Sequence, residues 1–173
     1  MDRRLRYGVI QTDSGWIALA ASHEGLTDAT LPQSTPQRAI EQLGDNAGAE
    51  RSDDSFDDLA NRFRDYFRGT RQTFPDGLDL SSGTPFQQDV WRTARSIPYG
   101  ETRSYGWIAA VIGRPKASRA VGQAMGRNPL AIIIPCHRVL AGDGGLGGFG
   151  GGLNMKRRLL MIESTVAGSQ DPG

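Results

Sequence analysis

The sequence predicts a mixed α/β (α+β) chain of two domains, and three observations carry that expectation. Apolar-leaning segments of strand length fill the first third, helical periodicity dominates the second half, and a stretch of linker composition separates them. At 173 residues the chain has room for one ordinary domain or two small ones with a sizeable core.

The elements follow in order. "RYGVIQT", "GWIALAAS" and "GLTDATLP" read as strands, punctuated by "DSG" and "HEG", which are hairpin-type turns. "TPQRAIEQLG" reads as a short helix capped by Thr35, with Pro36 at its first position and Gly44 after its end. The acidic, polar stretch from Asp45 to Asp54 is expected as an exposed loop. In "SFDDLANRFRDYFRG", Phe56, Leu59, Ala60, Phe63 and Phe67 recur at helical spacing, with acids in the first turn and Arg68-Gly69 at the close. "TRQTFPDGLDLSSGTP" has linker composition. The expected division is residues 1–83, an N-terminal α/β domain; 84–164, a C-terminal domain; and 165–173, a disordered tail.

Beyond the linker, "TPFQQDVWRTARSIPYG" starts a helix with a Thr84 cap and Pro85. Phe86, Val90, Trp91 and Ala94 form its apolar stripe, and Pro98 ends it. "SYGWIAAVIGRPKASRAVGQAMGRNP" reads as two helices joined at Gly113-Arg114-Pro115, the helix-turn-helix pattern, although two packed core helices have the same spacing. Asn128 precedes Pro129 and so ends the second helix. "AIII" at 131–134 is uninterrupted and β-branched, which predicts a buried strand stopped by Pro135. A glycine-rich segment follows, and "GLNMKRRLLMIES" predicts a last helix.

Composition narrows the function classes. No apolar run reaches the length of a membrane span, and the start "MDRRLRYGVIQTDSG" lacks the apolar core of a secretory signal. A single cysteine forbids an internal disulfide and a thiolate-rich zinc site, so a cytoplasmic setting and a free thiol are expected. The net charge of +1 hides an asymmetry, −5 over residues 1–85 and +6 over 86–173. A basic half suits a phosphate-backbone binder, and equally a solvated basic surface.

The lone thiol, Cys136, lies between Pro135 and His137. A cysteine is often a small core hydrophobe, but charged neighbours His137 and Arg138 weigh against that here. A free thiol, with a pKa of about 8.5, needs a base or a positive field to become nucleophilic. Adjacent residues of an extended chain point to opposite faces, so His137 would act on Cys136 through a water rather than directly. Glu163, the only acid between Asp143 and Asp171, follows an apolar series on the last helix. It is a candidate to orient the imidazole, against the alternative of a solvated helix-end acid.

"IPCHRV" closely resembles the active-site signature of the O6-alkylguanine-DNA alkyltransferases, also called methylated-DNA–protein-cysteine methyltransferases. "GTPFQQDVW", "IPYGETRSYGWIA", "RAVGQAMGRNP" and "GGFGGGLNMKRRLLMIE" resemble family segments in the right order; the resemblance is strong over residues 84–163 and loose over 1–83. It implies a ribonuclease-H-like N-terminal domain and a mainly helical, winged-helix-like C-terminal domain.

The resemblance further implies that Cys136 takes an alkyl group irreversibly from O6 of guanine in double-stranded DNA, with His137 as water-linked base and Glu163 orienting it. Tyr105 would donate to the guanine as its O6 becomes a leaving group, and Asn128 would link the recognition helix to the cysteine segment. The helix with Ala117, Ser118, Arg119, Ala120, Gly122 and Gln123 would enter the minor groove, joined by Ser104. Its small residues permit close approach, and Arg119 would fill the space of the extruded base. Pro135, Val139, Gly148, Phe149 and Gly150 would line the guanine pocket, although Gly148 and Phe149 stand where the family often has Asn and Tyr. No cofactor is implied, and the expected form is a monomer. The structural zinc of some members is not expected, because outside the site only His23 offers a ligand of that kind.

Three rival readings have particular features against them. Non-catalytic relatives that bind alkylated DNA lack the reactive cysteine. A helix-turn-helix regulator would carry large base-reading side chains on its second helix. A cysteine hydrolase would not place its histidine directly after the nucleophile.

Overall fold

In a computed structural model of the chain, residues 6–44, 49–145 and 152–170 are described, with side chains of the last helix described to Ser164. The fold is mixed α/β. The chain divides into two compact units, Met1–Leu80 with Pro129–Ala131, and Ser81–Asn128 with Ile132–Gly173. Among the described residues no helix is long and apolar enough to cross a membrane.

The first unit is built on a sheet whose strands run, in order, β3 (Leu26–Ala29), β2 (Gly15–Ala21), β1 (Arg6–Thr12) and β4 (Glu50–Arg51). Strands β1 and β2 form an antiparallel hairpin in the register Thr12↔Gly15. Gly15 has φ +130°, and a Cβ there would lie 2.6 Å from the Gln33 carbonyl oxygen, so the turn requires glycine. Ile17 to Ala21 are all buried, which needs cover on both sheet faces. One cover is α1 (Pro36–Gln42), whose Ala39, with Leu43 just beyond it, packs with Val9, Ala18 and Ala20. Against the other face of β1, Gly8 leaves room for the Phe56 ring. As expected, Thr35 caps α1, its hydroxyl accepting from the Arg38 N–H.

Two expectations in this unit are corrected. Within Asp45–Asp54, residues 45–48 lie outside the described part, but Glu50–Arg51 forms a short strand, β4, parallel to β1. Asp53 Oδ1 then accepts from the Val9 N–H at 3.0 Å. The stretch after α2 (Asp57–Phe67) is likewise no loose linker. Gly77 and Asp79 exchange backbone hydrogen bonds with Leu26 of β3 (Leu26–Ala29). Ser22 Oγ donates to the buried Asp79 carboxylate at 2.6 Å. Edge-strand amides demand partners, and a polar segment beside them supplies these whatever its composition suggests.

The second unit opens on α3 (Pro85–Arg95), entered through a capping box in which Thr84 and Gln87 each satisfy the other's backbone N–H. Its Trp91 is buried and donates Nε1 to the Ala124 carbonyl at 2.9 Å, joining α3 to α5 (Ser118–Gly126). α4 (Tyr105–Val111) is capped by Ser104 Oγ and turns into α5 through Gly113, at φ +79°. Val90, Ala94, Ile108, Ala109, Val121 and Ala124 make the core of this helical cluster.

The strand expected at 131–134 does not form. Ile132, Ile133 and Ile134 are buried, but Ile132 has φ +72°, a left-handed conformation that cannot continue a strand. A β-branched apolar run reports burial, and here the conformation is a turn. Leu130 instead bridges Ala29 within the first unit. The last helix, α6, spans Leu153–Gln170, so residues 165–170 are helical where a disordered tail was expected. No proline interrupts the chain between Ser164 and Gln170.

Candidate active site

Cys136 sits in a single 3₁₀ turn, Cys136–Arg138, rather than at a strand end. Its amide donates to the Ile134 carbonyl at 2.8 Å, closing the bend after Pro135. Directly after the turn, β6 (Val139–Leu140) pairs in parallel with β5 (Arg103–Ser104), which brings the start of α4 and Tyr105 alongside. In a 3₁₀ turn successive side chains diverge by about 120°. His137 therefore points away from Cys136, inward to α6, and is fully buried.

Three residues of α6 form its inward stripe: Lys156, Leu159 and Glu163, at 0%, 0% and 1% exposure. Glu163 is the acceptor at the centre of the site. Its Oε2 pairs with His137 Nε2 and accepts from Arg138 Nη2 at 3.2 Å. Its Oε1 accepts from Arg138 Nε at 2.7 Å and from the Gly100 N–H at 3.2 Å. Four donors fill both oxygens, which is close to the capacity of a carboxylate. Burial pushes the Glu163 carboxyl up, but the hydrogen bonds and charges of His137 and Arg138 outweigh it and hold the group at about 2.

That anion decides the imidazole. An ionised carboxylate only accepts, so Nε2 of His137 carries the proton and Nδ1 is left as the basic nitrogen. Burial lowers the His137 pKa, Glu163 opposes the drop, and the charges of Arg138 and Lys156 reinforce it. A neutral histidine with a defined tautomer is the result.

The thiol itself is pushed up by burial, while the Asn128 side chain and the Lys156 charge draw it down. Lys156 donates Nζ to the Val139 carbonyl at 2.8 Å and lies 5.9 Å from the centre of the Tyr105 ring. Burial lowers its pKa, and the Cys136 charge opposes that. Burial, then the Cys136 charge, raises the Tyr105 pKa, so its hydroxyl keeps a proton to give.

Asn128, just past α5, donates Nδ2 to the Ile134 carbonyl at 2.8 Å, bracing the bend that carries Cys136. On α5, Arg119, Ala120 and Gln123 are exposed, and Ser118 and Gly122 are half-buried. Ala117 is the residue before the helix. A Cβ on Gly122 would stand 4.0 Å from the Tyr105 ring, so the small residues of α5 pass close to the site. Ser104 caps α4. Pro135 and Val139 are buried beside the thiol, whereas Gly148, Phe149 and Gly150 lie outside the described residues.

Sequence reasoning missed Lys156 and the full role of Arg138. Lys156 stands seven residues before Glu163 with Leu159 between them, a helical spacing that marks one face. Charged residues so rarely lie fully buried that the spacing alone did not single it out. Among the described residues no group of three or more His, Cys, Asp or Glu is arranged to hold a metal ion.

The comparisons with known proteins agree in one direction. Residues 85–165 match the family model "6-O-methylguanine DNA methyltransferase, DNA binding domain", and residues 5–80 match its ribonuclease-like domain. The chain is 43% identical over 163 residues to a methylated-DNA–protein-cysteine methyltransferase of Mycobacterium bovis, covering 94% of each. A Methanosarcina acetivorans protein of the same name is 39% identical, over 92% of this chain and 98% of its own. Among solved structures, Mycobacterium tuberculosis OGT in complex with DNA superposes with a TM-score of 0.81 at 42% identity, covering 94% of both chains. The O6-methylguanine-DNA methyltransferase of Pyrococcus kodakaraensis strain KOD1 does so at 0.66 and 26%, covering 91% of this chain and 98% of that one.

Proposed function

Because the chain belongs to the 6-O-methylguanine DNA methyltransferase family, we propose that Cys136 is the thiol on which it carries out DNA repair by alkyl transfer. It binds DNA and acts as a methylated-DNA–protein-cysteine methyltransferase. The observation that carries the assignment of residues is the half-buried Cys136 next to the buried His137–Glu163 pair, with a proton-bearing Tyr105 beside it.

His137 Nδ1 takes the thiol proton through a water, and Lys156 lends positive field to the thiolate. Sulfur attacks the alkyl carbon of an O6-alkylguanine extruded from the duplex, forming the C–S bond as the C–O6 bond breaks. Charge gathers on the departing base, and Tyr105 delivers a proton to it. The proton held by His137 restores the tyrosine, so protons balance. A thioether has no ready leaving group, so each molecule acts once.

On this reading Arg119 enters the stack as the base leaves. Ala117, Ser118, Ala120, Gly122, Gln123 and Ser104 lie along the minor groove, and Asn128 couples that contact to the thiol. Pro135 and Val139, with Gly148, Phe149 and Gly150, wall the base. Residues 84–164 form the domain that carries both DNA binding and chemistry. The working form is a cytoplasmic monomer that needs neither metal nor other cofactor. Cys136→Ala tests the assignment: it should abolish transfer from O6-methylguanine duplex yet keep duplex binding. Transfer surviving in that variant would refute it.

A further inference from the structure

Arg138 is more than a neighbour of the reacting pair. It is 8% exposed, and all three of its guanidinium nitrogens are engaged, on two partners. Nε and Nη2 grip Glu163, and Nη1 donates to the Ile97 carbonyl at 2.7 Å. The Tyr99 ring lies against the guanidinium, 5.6 Å from its carbon to the ring centre. Gly100, from the same connection between α3 and β5, adds its amide to Glu163. One side chain therefore ties the carboxylate of α6 to the segment leading into Arg103, Ser104 and Tyr105.

We infer that Arg138 is a positioning residue for the alkyl transfer: it clamps Glu163 to the Ile97–Gly100 connection, and through that clamp holds His137 as a neutral base anchored to α6 by its Nε2. The inference rests on Cys136 being the acceptor thiol. Its physical content has two parts. Bidentate Arg–carboxylate geometry fixes the orientation of Glu163, which a lysine could not do. A fixed positive charge beside the imidazole also disfavours a second positive charge on it.

The charged groups acting on His137 are Glu163 and Lys156 from α6 and Arg138 from its own turn. Glu163 alone would draw the imidazole toward imidazolium, which cannot accept the thiol proton. Burial opposes it first, and the charges of Arg138 and Lys156 add to that. Removing Arg138 leaves the full field of the carboxylate on His137, so the imidazole protonates at higher pH.

The test uses the full chain and the free base O6-benzylguanine, whose single-turnover transfer is followed across pH. In Arg138→Gln the acid-side midpoint should move up by about one pH unit. In Arg138→Lys the midpoint should stay near the parent's while the rate falls, because charge is kept and the fork is lost. A merely structural role would lower the melting temperature and scale the whole profile without moving the midpoint, which would overturn the inference. If Arg138→Gln does not fold, histidine ¹⁵N NMR on the parent decides. His137 should be the neutral Nε2–H tautomer, protonating below the ordinary 6.5, and protonation at or above that value would overturn it. Peptide mapping of the alkylated parent distinguishes this from failure of the underlying reading, since an alkyl group found off Cys136 would refute that reading instead.

Discussion

Replacing Glu163 by Gln exposes how the site is held together. The carboxylate accepts from Arg138 Nε and Gly100 N on one oxygen, and from His137 Nε2 and Arg138 Nη2 on the other. An amide offers one oxygen, so whichever way Gln turns, its NH₂ confronts two of those donors. It also leaves the buried Arg138 without a counter-charge. Breaking a buried ion pair from one side costs about 3–5 kcal/mol. The lowered pKa gives a second figure, since a fall from an ordinary 4.5 to about 2 corresponds to about 3 kcal/mol. The two agree.

For a chain of this size such a loss lowers the melting temperature by on the order of 10 °C. Folding makes this carboxyl more acidic, so its contribution is complete above the unfolded value of 4.5 and fades as pH falls toward about 2. The gap between parent and Glu163→Gln should therefore be widest near neutrality and narrow below that value. Transfer to the thiol should slow by about 10²-fold or more, because the base loses its anchor. Thermal melts from pH 7 to pH 3 and single-turnover transfer from O6-benzylguanine measure both. A melting temperature within 2–3 °C of the parent at pH 7, roughly 1 kcal/mol or less, would refute the reasoning.

Other substitutions address separate parts of the molecule. Arg119→Ala should slow transfer from duplex DNA by about tenfold or more while leaving transfer from free O6-benzylguanine nearly unchanged, since only the duplex requires unstacking; equal slowing of both would remove the wedge role. Trp91→Ala removes a buried ring and its bond to Ala124, and should cost about 3–5 kcal/mol in denaturant melts with little change in the pH midpoint of transfer. His137→Ala combined with Glu163→Gln should slow transfer less than the two single losses multiplied, because the pair acts as one network; strict multiplicativity would separate their roles.

What could be read from the chain divides along physical lines. Local rules held at Thr35 and Pro36 for α1, and at Thr84 and Pro85 for α3, because caps depend on residues a few positions apart. Non-local pairing did not show. The hydrogen bonds of Gly77 and Asp79 to Leu26 join segments some fifty residues apart, and nothing in their composition announces it. The isoleucines at 132–134 signalled burial correctly and conformation wrongly, since an apolar run is equally at home in a buried turn. At the site, Glu163 stood out as a lone acid behind apolar residues, and the structure brings it to His137. Lys156 did not stand out, since a lysine among arginines on a helix usually faces water. Arg138 was legible as a neighbour of the thiol but not as the clamp on α6, which only the folded chain creates.

One thiol takes one alkyl group and is spent. Incubating the protein with excess O6-methylguanine duplex, then weighing it intact and mapping its peptides, tests this directly. The expected result is a gain of a single methyl group, on Cys136, reached at one equivalent of repaired DNA with no further turnover. A gain on another residue, or repair continuing beyond one equivalent, would contradict the account.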